Sequence, residues 1–208
     1  MKKTLLVVFA ALLAVGCGGG NKETETAKKD SEMKRTLDAC IAANPNYNNN
    51  ELTRSVLADS ITSAFQLYRG KPLKQVENLP CEYEMSLEYG VDPWQYIDTT
   101  IIGKYVVKFN YSELLEDNNV SDNYSVGFQV FAILEKEKVM QLVEGAKYYI
   151  SGTFRDFANN TTETGFRLPS GKCSYDYPSV SYYSTFSPSL QINLGTIVLD
   201  NLTFKPAQ

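Results

Sequence analysis

Histidine is absent from this sequence of 208 residues. Because histidine is the most common general base and the most common metal ligand, its absence excludes every catalytic triad built on imidazole. Pairs of carboxylates can still act on a glycosidic bond, but no two acidic residues stand out from the exposed faces of the predicted strands. The sequence therefore favours binding over catalysis, and it predicts no enzyme activity, no metal ion and no cofactor.

Basic clusters are also missing. Acidic residues outnumber basic residues by 24 to 20, and the formal net charge is −4. A protein that binds nucleic acid usually carries a basic stripe, because neutralising phosphates supplies most of the non-specific affinity. The composition therefore argues against nucleic acid as a partner.

No apolar run in the chain is long enough to cross a membrane. Lys2 and Lys3 precede an uncharged apolar run at residues 5–15, which is the layout of a secretory signal peptide. A helix that spans the hydrocarbon core needs about 20 residues, so this run is too short for a permanent anchor. Residues 1–16 are thus predicted to be a signal that directs export.

The signal ends in Ala14-Val15-Gly16-Cys17, which resembles the lipobox of bacterial lipoproteins, although the family more often has leucine where Ala14 stands. The resemblance implies cleavage before Cys17 and attachment of acyl chains to its sulfur, so that the protein is held on a membrane. The alternatives are an ordinary secretion signal that is cut elsewhere and a buried hydrophobic helix. Gly18 stands where an aspartate, by the sorting rule of enteric bacteria, implies retention in the inner membrane. We therefore expect the outer membrane, with the periplasmic and the cell-surface face both open.

Three cysteines remain once Cys17 is assigned to lipid, namely Cys40, Cys81 and Cys173. Export permits disulfides, but three thiols cannot all pair. The predicted pair is Cys40 with Cys81, since a helical hairpin between them could bring its two ends together. The alternative is that all three are reduced and buried. No Cys-x-x-Cys motif is present, which excludes a thioredoxin-like redox motif and a thiolate zinc site.

The mature chain begins with a polar stretch at residues 17–30, which lacks large apolar side chains and is predicted to be a flexible tether. Apolar residues then recur at helical spacing, first from Met33 to Ile41 and then from Leu57 to Tyr68. Ser31 and the asparagines before residue 51 are candidate N-caps. This pattern predicts a helical hairpin at 31–70.

From residue 71 to residue 208 the pattern alternates as in β-strands. The alternation places Tyr83, Met85 and Leu87 on one face of the first strand, and Gly152 inside a later strand predicts a bulge. The predicted fold is α+β and mainly β, with the hairpin packed on an antiparallel barrel or sandwich. Strands are predicted at 81–89, 101–111, 124–134, 139–143, 147–154, 165–168, 172–177, 180–186 and 190–204.

Residues 142–154 read LVEGAKYYISGTF and resemble an OB-fold domain, which often carries an apolar pair, a turn with glycine, an alternating strand and a second glycine. The resemblance implies a five-stranded barrel within residues 101–204. It also implies a surface on the second and third strands that holds oligosaccharides or oligonucleotides. No individual site residue follows from it.

Aromatic residues are concentrated at two places. Tyr175, Tyr177, Tyr182 and Tyr183 crowd a short segment, where they could stack on sugar rings or simply pack in the core. Trp94, the only tryptophan, follows a glycine and a proline and is either an exposed recognition element or a plug at the end of the barrel. We treat these five residues as candidate ligand-binding residues.

Together these observations predict a lipid-anchored binding protein of the cell envelope. The expected ligand is a glycan or another small molecule, and the expected partner is the membrane through Cys17. The alternative is an interaction or assembly subunit of an envelope complex that pairs through a sheet edge.

Overall fold

The computed structural model describes residues 31–88, 103–115, 124–157, 178–183 and 189–207. The fold in these ranges is α+β and mainly β, as the sequence predicts. Its elements, in chain order, are α1 (Glu32–Ala43), α2 (Glu51–Gln66), β1 (Pro80–Glu88), β2 (Tyr105–Leu115), β3 (Tyr124–Leu134), α3 (Lys136–Val139), β4 (Lys147–Phe157), β5 (Ser179–Tyr183) and β6 (Ser189–Pro206).

Local side-chain bonds set the starts of the two long helices. The Ser31 hydroxyl accepts a hydrogen bond from the Lys34 N–H at the start of α1, which confirms the predicted cap. At the start of α2, the side chains and backbones of Asn50 and Thr53 bond each other reciprocally in a capping box. Each cap satisfies backbone donors that have no partner inside the helix.

Six strands form one sheet in the order β3-β2-β1-β4-β6-β5, and β3 also pairs with β6. This additional pairing closes five of the strands into a ring, and β5 pairs with the first residues of β6, Ser189 to Asn193. The β3–β6 pair is parallel, whereas all other strand pairs among the described residues are antiparallel. The ring places strands that are far apart in sequence around one core.

The predicted central strand at 124–134 coincides with β3. Val130 and Ala132 are buried in the shared core, and Phe131, which points to the opposite face, is only 1% exposed. The other residues on that face, Ser125, Gly127, Gln129 and Ile133, are partly exposed. The prediction that this strand is covered on both faces is therefore confirmed only at Phe131.

A β-bulge between Tyr83 and Met85 shifts the register of β1 against β2. Residues that pair across two strands share a face of the sheet, and Met85 is opposite Lys108 while Leu87 is opposite Val106. Because Val107, Phe109 and Tyr111 are the β2 residues in the core, Met85 and Leu87 lie on the outer face. The prediction that they share a face with Tyr83 is wrong, since one extra residue inverts the alternation that follows it.

The bulge predicted at Gly152 is confirmed by a register shift between Ser151 and Thr153 in the β4–β6 pair. A Cβ atom at Gly152 would lie 2.9 Å from the Asp200 carbonyl oxygen and 3.1 Å from the Leu199 Cβ. The close approach of β6 thus requires glycine at this position.

The strand predicted at 139–143 is wrong, because a helical turn and a loop occupy these residues. The N–H groups of Met140 and Leu142 donate to carbonyls four and three residues earlier instead of to another strand. Val139 and Leu142, three residues apart, pack against the core, whereas Met140 is exposed. Spacing by three is the period of a helix and not of a strand.

Several other strands begin or end away from their predicted bounds. The strand predicted at 101–111 is β2, which begins at Tyr105, and the strand predicted at 147–154 is β4, which continues to Phe157. Strands β1, β5 and β6 each begin one residue before the strands predicted at 81–89, 180–186 and 190–204. The segments 165–168 and 172–177 lie outside the described residues. Where the sequence is rich in turn residues, alternation alone defines strand ends poorly.

The helices pack against one end of the ring. The Tyr124 hydroxyl, at the start of β3, donates to the Asp38 carboxylate in α1 at 2.7 Å. The Phe65 ring in α2 contacts the Phe157 ring at the end of β4, with the centroids 5.9 Å apart. Residues Ser31–Gln208 form one compact unit in which helices and strands share a single core.

Candidate functional site

A cleft of about 350 Å³ opens beside β4 and β6, near the turn at residues 74–78. We call it the β4–β6 cleft. Such a volume lies within the range of small-molecule sites. Its lining residues are Glu77, Asn78, Tyr149, Ile150, Ser151, Thr203, Phe204 and Lys205.

The register of β4 and β6 brings four polar or aromatic side chains of the cleft together. Tyr149 is directly opposite Lys205, and Ser151 is directly opposite Thr203. Because Ile150 is buried in the core, its neighbours Tyr149 and Ser151 point to the other face of the strand. The outer face of this strand pair therefore presents an aromatic ring and an ammonium group beside two hydroxyls.

Short contacts hold these side chains in place. The Lys205 Nζ lies 5.6 Å from the centroid of the Tyr149 ring, which is within the range of a cation–π interaction. The Ser151 Oγ and Thr203 Oγ1 are 2.8 Å apart and share a hydrogen bond. These contacts restrict the ring and both hydroxyls before any ligand arrives, and such restriction lowers the entropy cost of binding.

The turn at residues 74–78 is fixed against the side of β4. The Leu73 N–H donates to the Gly152 carbonyl at 3.0 Å, and Leu73 and Val76 are fully buried. Asn78 has a φ of 64°, in the left-handed region that asparagine tolerates better than most residues. These anchors place Glu77 and Asn78 at the wall of the cleft.

The aromatic residues singled out in the sequence do not line this cleft where the structure describes them. Tyr182 is partly buried, and its ring meets the Tyr47 ring edge to face, with the centroids 6.0 Å apart. Tyr183, the next residue of β5, is 52% exposed. Trp94, Tyr175 and Tyr177 lie outside the described residues, as does Cys17, so their assigned roles stay predictions.

The sequence did not single out the residues of the β4–β6 cleft. The spacing of the residues contains part of the information. Tyr149 and Ser151 are two residues apart in one strand, so they share a face, and the same holds for Thr203 and Lys205 in another strand. The alternation does not reveal that these two pairs are opposite each other. That fact depends on the register between strands separated by about 50 residues of sequence.

The predicted disulfide between Cys40 and Cys81 is not formed, since both are free and buried thiols. Desolvation by burial raises the pKa of Cys40, although a hydrogen bond with Ser60 of α2 opposes the shift. Burial raises the pKa of Cys81 from 9.0 to about 12. Each thiol packs as a small apolar group in the core. For Cys40 and Cys81 this agrees with the alternative prediction, that the cysteines are reduced and buried. Cys173 lies outside the described residues.

A second polar group lies on the outer face of β1 and β2, next to the bulge. The Lys108 ammonium is 2.6 Å from the Glu84 carboxylate, and the Asn110 amide donates to the same carboxylate. Desolvation by burial, the largest single effect, raises the pKa of Glu84, but both hydrogen bonds and the charge of Lys108 outweigh it, so this pKa lies below its ordinary value. Glu84 thus has an ion pair with Lys108 and a hydrogen bond from Asn110. These contacts are better explained as stabilising the bulge than as forming a ligand site.

Comparison with models of known protein families finds no match to this chain, and comparison with curated protein sequences finds no similar protein. Among the described residues, no cluster of acidic or cysteine side chains could hold a metal ion. None of the described helices combines the length and the apolar character that crossing a membrane requires.

Proposed function

We propose that this chain is a lipid-anchored binding protein of the bacterial cell envelope, with the β4–β6 cleft as its ligand site. One observation carries the proposal: the cleft combines the Tyr149 ring, the hydrogen-bonded hydroxyls of Ser151 and Thr203, and side chains of both charges. A ring stacks on the C–H face of a sugar or another small molecule, while a few placed polar groups orient it. A glycan unit or a similar small polar ligand fits this chemistry.

The cleft supports binding and not hydrolysis. Glu77 is the only acidic side chain among the described residues that line it. Hydrolysis of a glycosidic bond ordinarily requires two carboxyl groups on opposite sides of the bond. We therefore propose no catalytic residue in this cleft.

The ring of strands supports an OB-like barrel. Five strands (β1, β2, β3, β4 and β6) close on one another, and the OB fold is a five-stranded, partly open barrel. In that fold, ligands bind to the second and third strands and to the connections between strands one and two and between strands four and five. The corresponding connections here, residues 89–104 and 158–188, carry Trp94 and the four candidate tyrosines, which would form a second binding surface.

We propose that Cys17 carries the acyl chains and that the folded unit extends from the outer membrane on the tether at 17–30. Two or three chains hold a protein firmly, whereas one chain gives only marginal anchoring. In the native host, Cys17→Ser should release the protein from the membrane fraction with its fold unchanged. Retention of this variant in washed membranes would contradict the anchor.

Binding at the cleft is tested with a glycan array probed by the purified full-length protein and by Tyr149→Ala. Binding that Tyr149→Ala abolishes, and that Tyr105→Ala on a different strand leaves intact, supports the proposal. Binding that survives Tyr149→Ala but is lost in Trp94→Ala would transfer the site to the OB-like surface. If no sugar or other small polar ligand binds, the cleft is not a ligand site.

A second candidate function is an assembly subunit that pairs through a sheet edge. The observation that favours it is the position of β5, a five-residue strand at the end of the sheet whose only strand partner among the described residues is β6. An unpaired edge can accept an extended segment from another protein. Replacing Ser181 with proline should block such pairing, and co-purification of an envelope protein with the wild type alone would favour this function.

A further inference from the structure

We propose that the ligand of the β4–β6 cleft is zwitterionic, with an ammonium group that pairs with Glu77 and a carboxylate that pairs with Lys205. This inference rests on the proposed function, because it specifies the chemical class of the ligand in the same cleft. The ligands that fit are small molecules with both charges, such as a short peptide or an amino sugar acid.

Glu77 and Lys205 carry opposite charges and line the same cleft. Neither charge has an oppositely charged side chain within 4.0 Å among the described residues. The cleft thus holds one cation and one anion that are separated from each other and available to a ligand.

The surroundings explain why these two charges remain apart. The Lys205 ammonium lies over the Tyr149 ring, on the strand side of the cleft. The half-buried Glu77 belongs to the turn at residues 74–78, which Leu73 and Val76 anchor in the core. The cation–π contact and the anchored turn both favour positions in which the two charges do not form an ion pair.

A zwitterion satisfies both charges at once. A ligand with a single charge leaves one protein charge without a partner and brings its own charge near a group of the same sign, which favours the zwitterion. Ser151 of β4 and Thr203 of β6 also line the cleft. Their hydroxyls can form hydrogen bonds with polar groups of the ligand that lie between its two charges. A zwitterion has no net charge, so the net negative charge of the chain does not repel it.

The test measures binding of matched probes to the purified full-length protein by isothermal titration calorimetry. The peptide series is glycylglycine, N-acetylglycine with only the negative charge, and glycinamide with only the positive charge. The sugar series is muramic acid with both charges, glucuronic acid, glucosamine and neutral N-acetylglucosamine. We expect at least one zwitterion to bind about tenfold or more tightly than its singly charged analogues, since each lost charge-assisted bond reduces affinity by about that factor.

Two variants assign the preference to the two charges. Lys205→Met keeps the apolar stem and removes the cation, and Glu77→Gln keeps the shape and removes the anion. Each should abolish the preference for the zwitterion, whereas the controls Lys147→Met and Glu82→Gln, which change exposed residues outside the cleft lining, should keep it. Circular dichroism of each variant checks that the fold is retained.

The outcomes separate this inference from the proposed function. Equal affinity for zwitterions and singly charged analogues, or a preference that survives both cleft variants, overturns the inference. If neutral sugars bind under those conditions and Tyr149→Ala abolishes their binding, the proposed function still holds. If no probe of either series binds, both the inference and the cleft as a ligand site are wrong.

Discussion

Gln75 is fully buried two residues before Glu77 in the turn that forms one wall of the cleft. Neither its Oε1 nor its Nε2 has a hydrogen-bond partner in the described part of the chain. A buried amide without partners reduces the free energy of unfolding by about 1–3 kcal/mol. Since natural cores rarely keep such a group, Gln75 is the residue whose identity packing explains least.

Replacing Gln75 with methionine, which has a similar shape and no amide, should therefore raise the free energy of unfolding by about 1 kcal/mol or more. Equilibrium unfolding in urea measures the change, and Gln66→Met at an exposed position is the control, with an expected change near zero. A loss of stability in Gln75→Met would show that the amide has an internal partner, such as a buried water molecule.

Cys40 and Cys81 should resist alkylation as long as the protein is folded. The thiolate is the reactive form, and burial raises both pKa values, that of Cys81 to about 12. Treatment with iodoacetamide at pH 8, followed by peptide mass spectrometry, should find both thiols unmodified in buffer and fully modified in urea. Rapid modification of either thiol in the native protein would contradict its burial. Detection of a disulfide-linked peptide that contains both Cys40 and Cys81 would show that the two cysteines are paired after all.

At the scale of single residues, the sequence predicts apolar positions better than it predicts sites. Ser31 as a cap and Phe131 as a second buried face follow from local pattern alone. Glu77 and Lys205 do not, because an exposed charge next to a turn or a strand end looks the same whether or not it lines a cleft. That both line one cleft depends on the packing of a turn and a strand that are far apart in sequence.

The contacts of the Glu84 carboxylate with Lys108 and Asn110 stabilise strand β1 at its bulge. The pKa of Glu84 is lower in the folded protein than its ordinary value of 4.5. The ionised carboxylate therefore stabilises the fold fully at pH values above 4.5. This stabilisation is lost as the pH falls through the folded pKa. Unfolding free energies of the wild type and Glu84→Gln should differ at pH 7, and the difference should shrink as the pH falls below 4.5. A difference that stays constant over this range would mean that the carboxylate charge does not act on the fold.

The bulge in β4 offers a second test at this scale. Gly152→Ala would force its Cβ against the Asp200 carbonyl, so we expect the free energy of unfolding to fall by about 1–3 kcal/mol. Gly127→Ala is the matched control, because its Cβ would meet the nearest atom, the Tyr111 carbonyl oxygen, at an ordinary 3.5 Å. Thermal unfolding compares the two variants, and equal melting temperatures would contradict the close approach of β6 at Gly152.

Elements are predictable where their pattern is long and uninterrupted. Strand β3 is found at its predicted bounds, and both helices follow their apolar spacing and caps. The pattern fails in two places for physical reasons. The bulge after Tyr83 inverts the faces of Met85 and Leu87, and the short run before Gly145 satisfies its backbone through local helical bonds although its apolar residues suggest alternation.

At the scale of the whole molecule, the ring is the least predictable feature. The parallel β3–β6 pair that closes it joins residues about 65 positions apart in sequence. No short window of sequence contains both strands, so alternation predicts that each strand exists but not which strand it pairs with. The sequence therefore predicted a mainly β domain and left the choice between barrel and sandwich open.

The location proposed for the molecule rests on its first residues and not on its fold. The signal at 1–16, the lipobox that ends in Cys17 and the polar tether predict a folded unit held outside the cytoplasm, where a small polar ligand of the envelope can reach the β4–β6 cleft. Every functional proposal depends on this location.

Mass spectrometry of the protein purified from its native membrane tests that location directly. We predict that the chain begins at Cys17 and that the amino-terminal peptide has the added mass of two or three acyl chains. A chain that begins at Met1 with an unmodified Cys17 thiol would contradict the anchor and the export on which the proposed function depends.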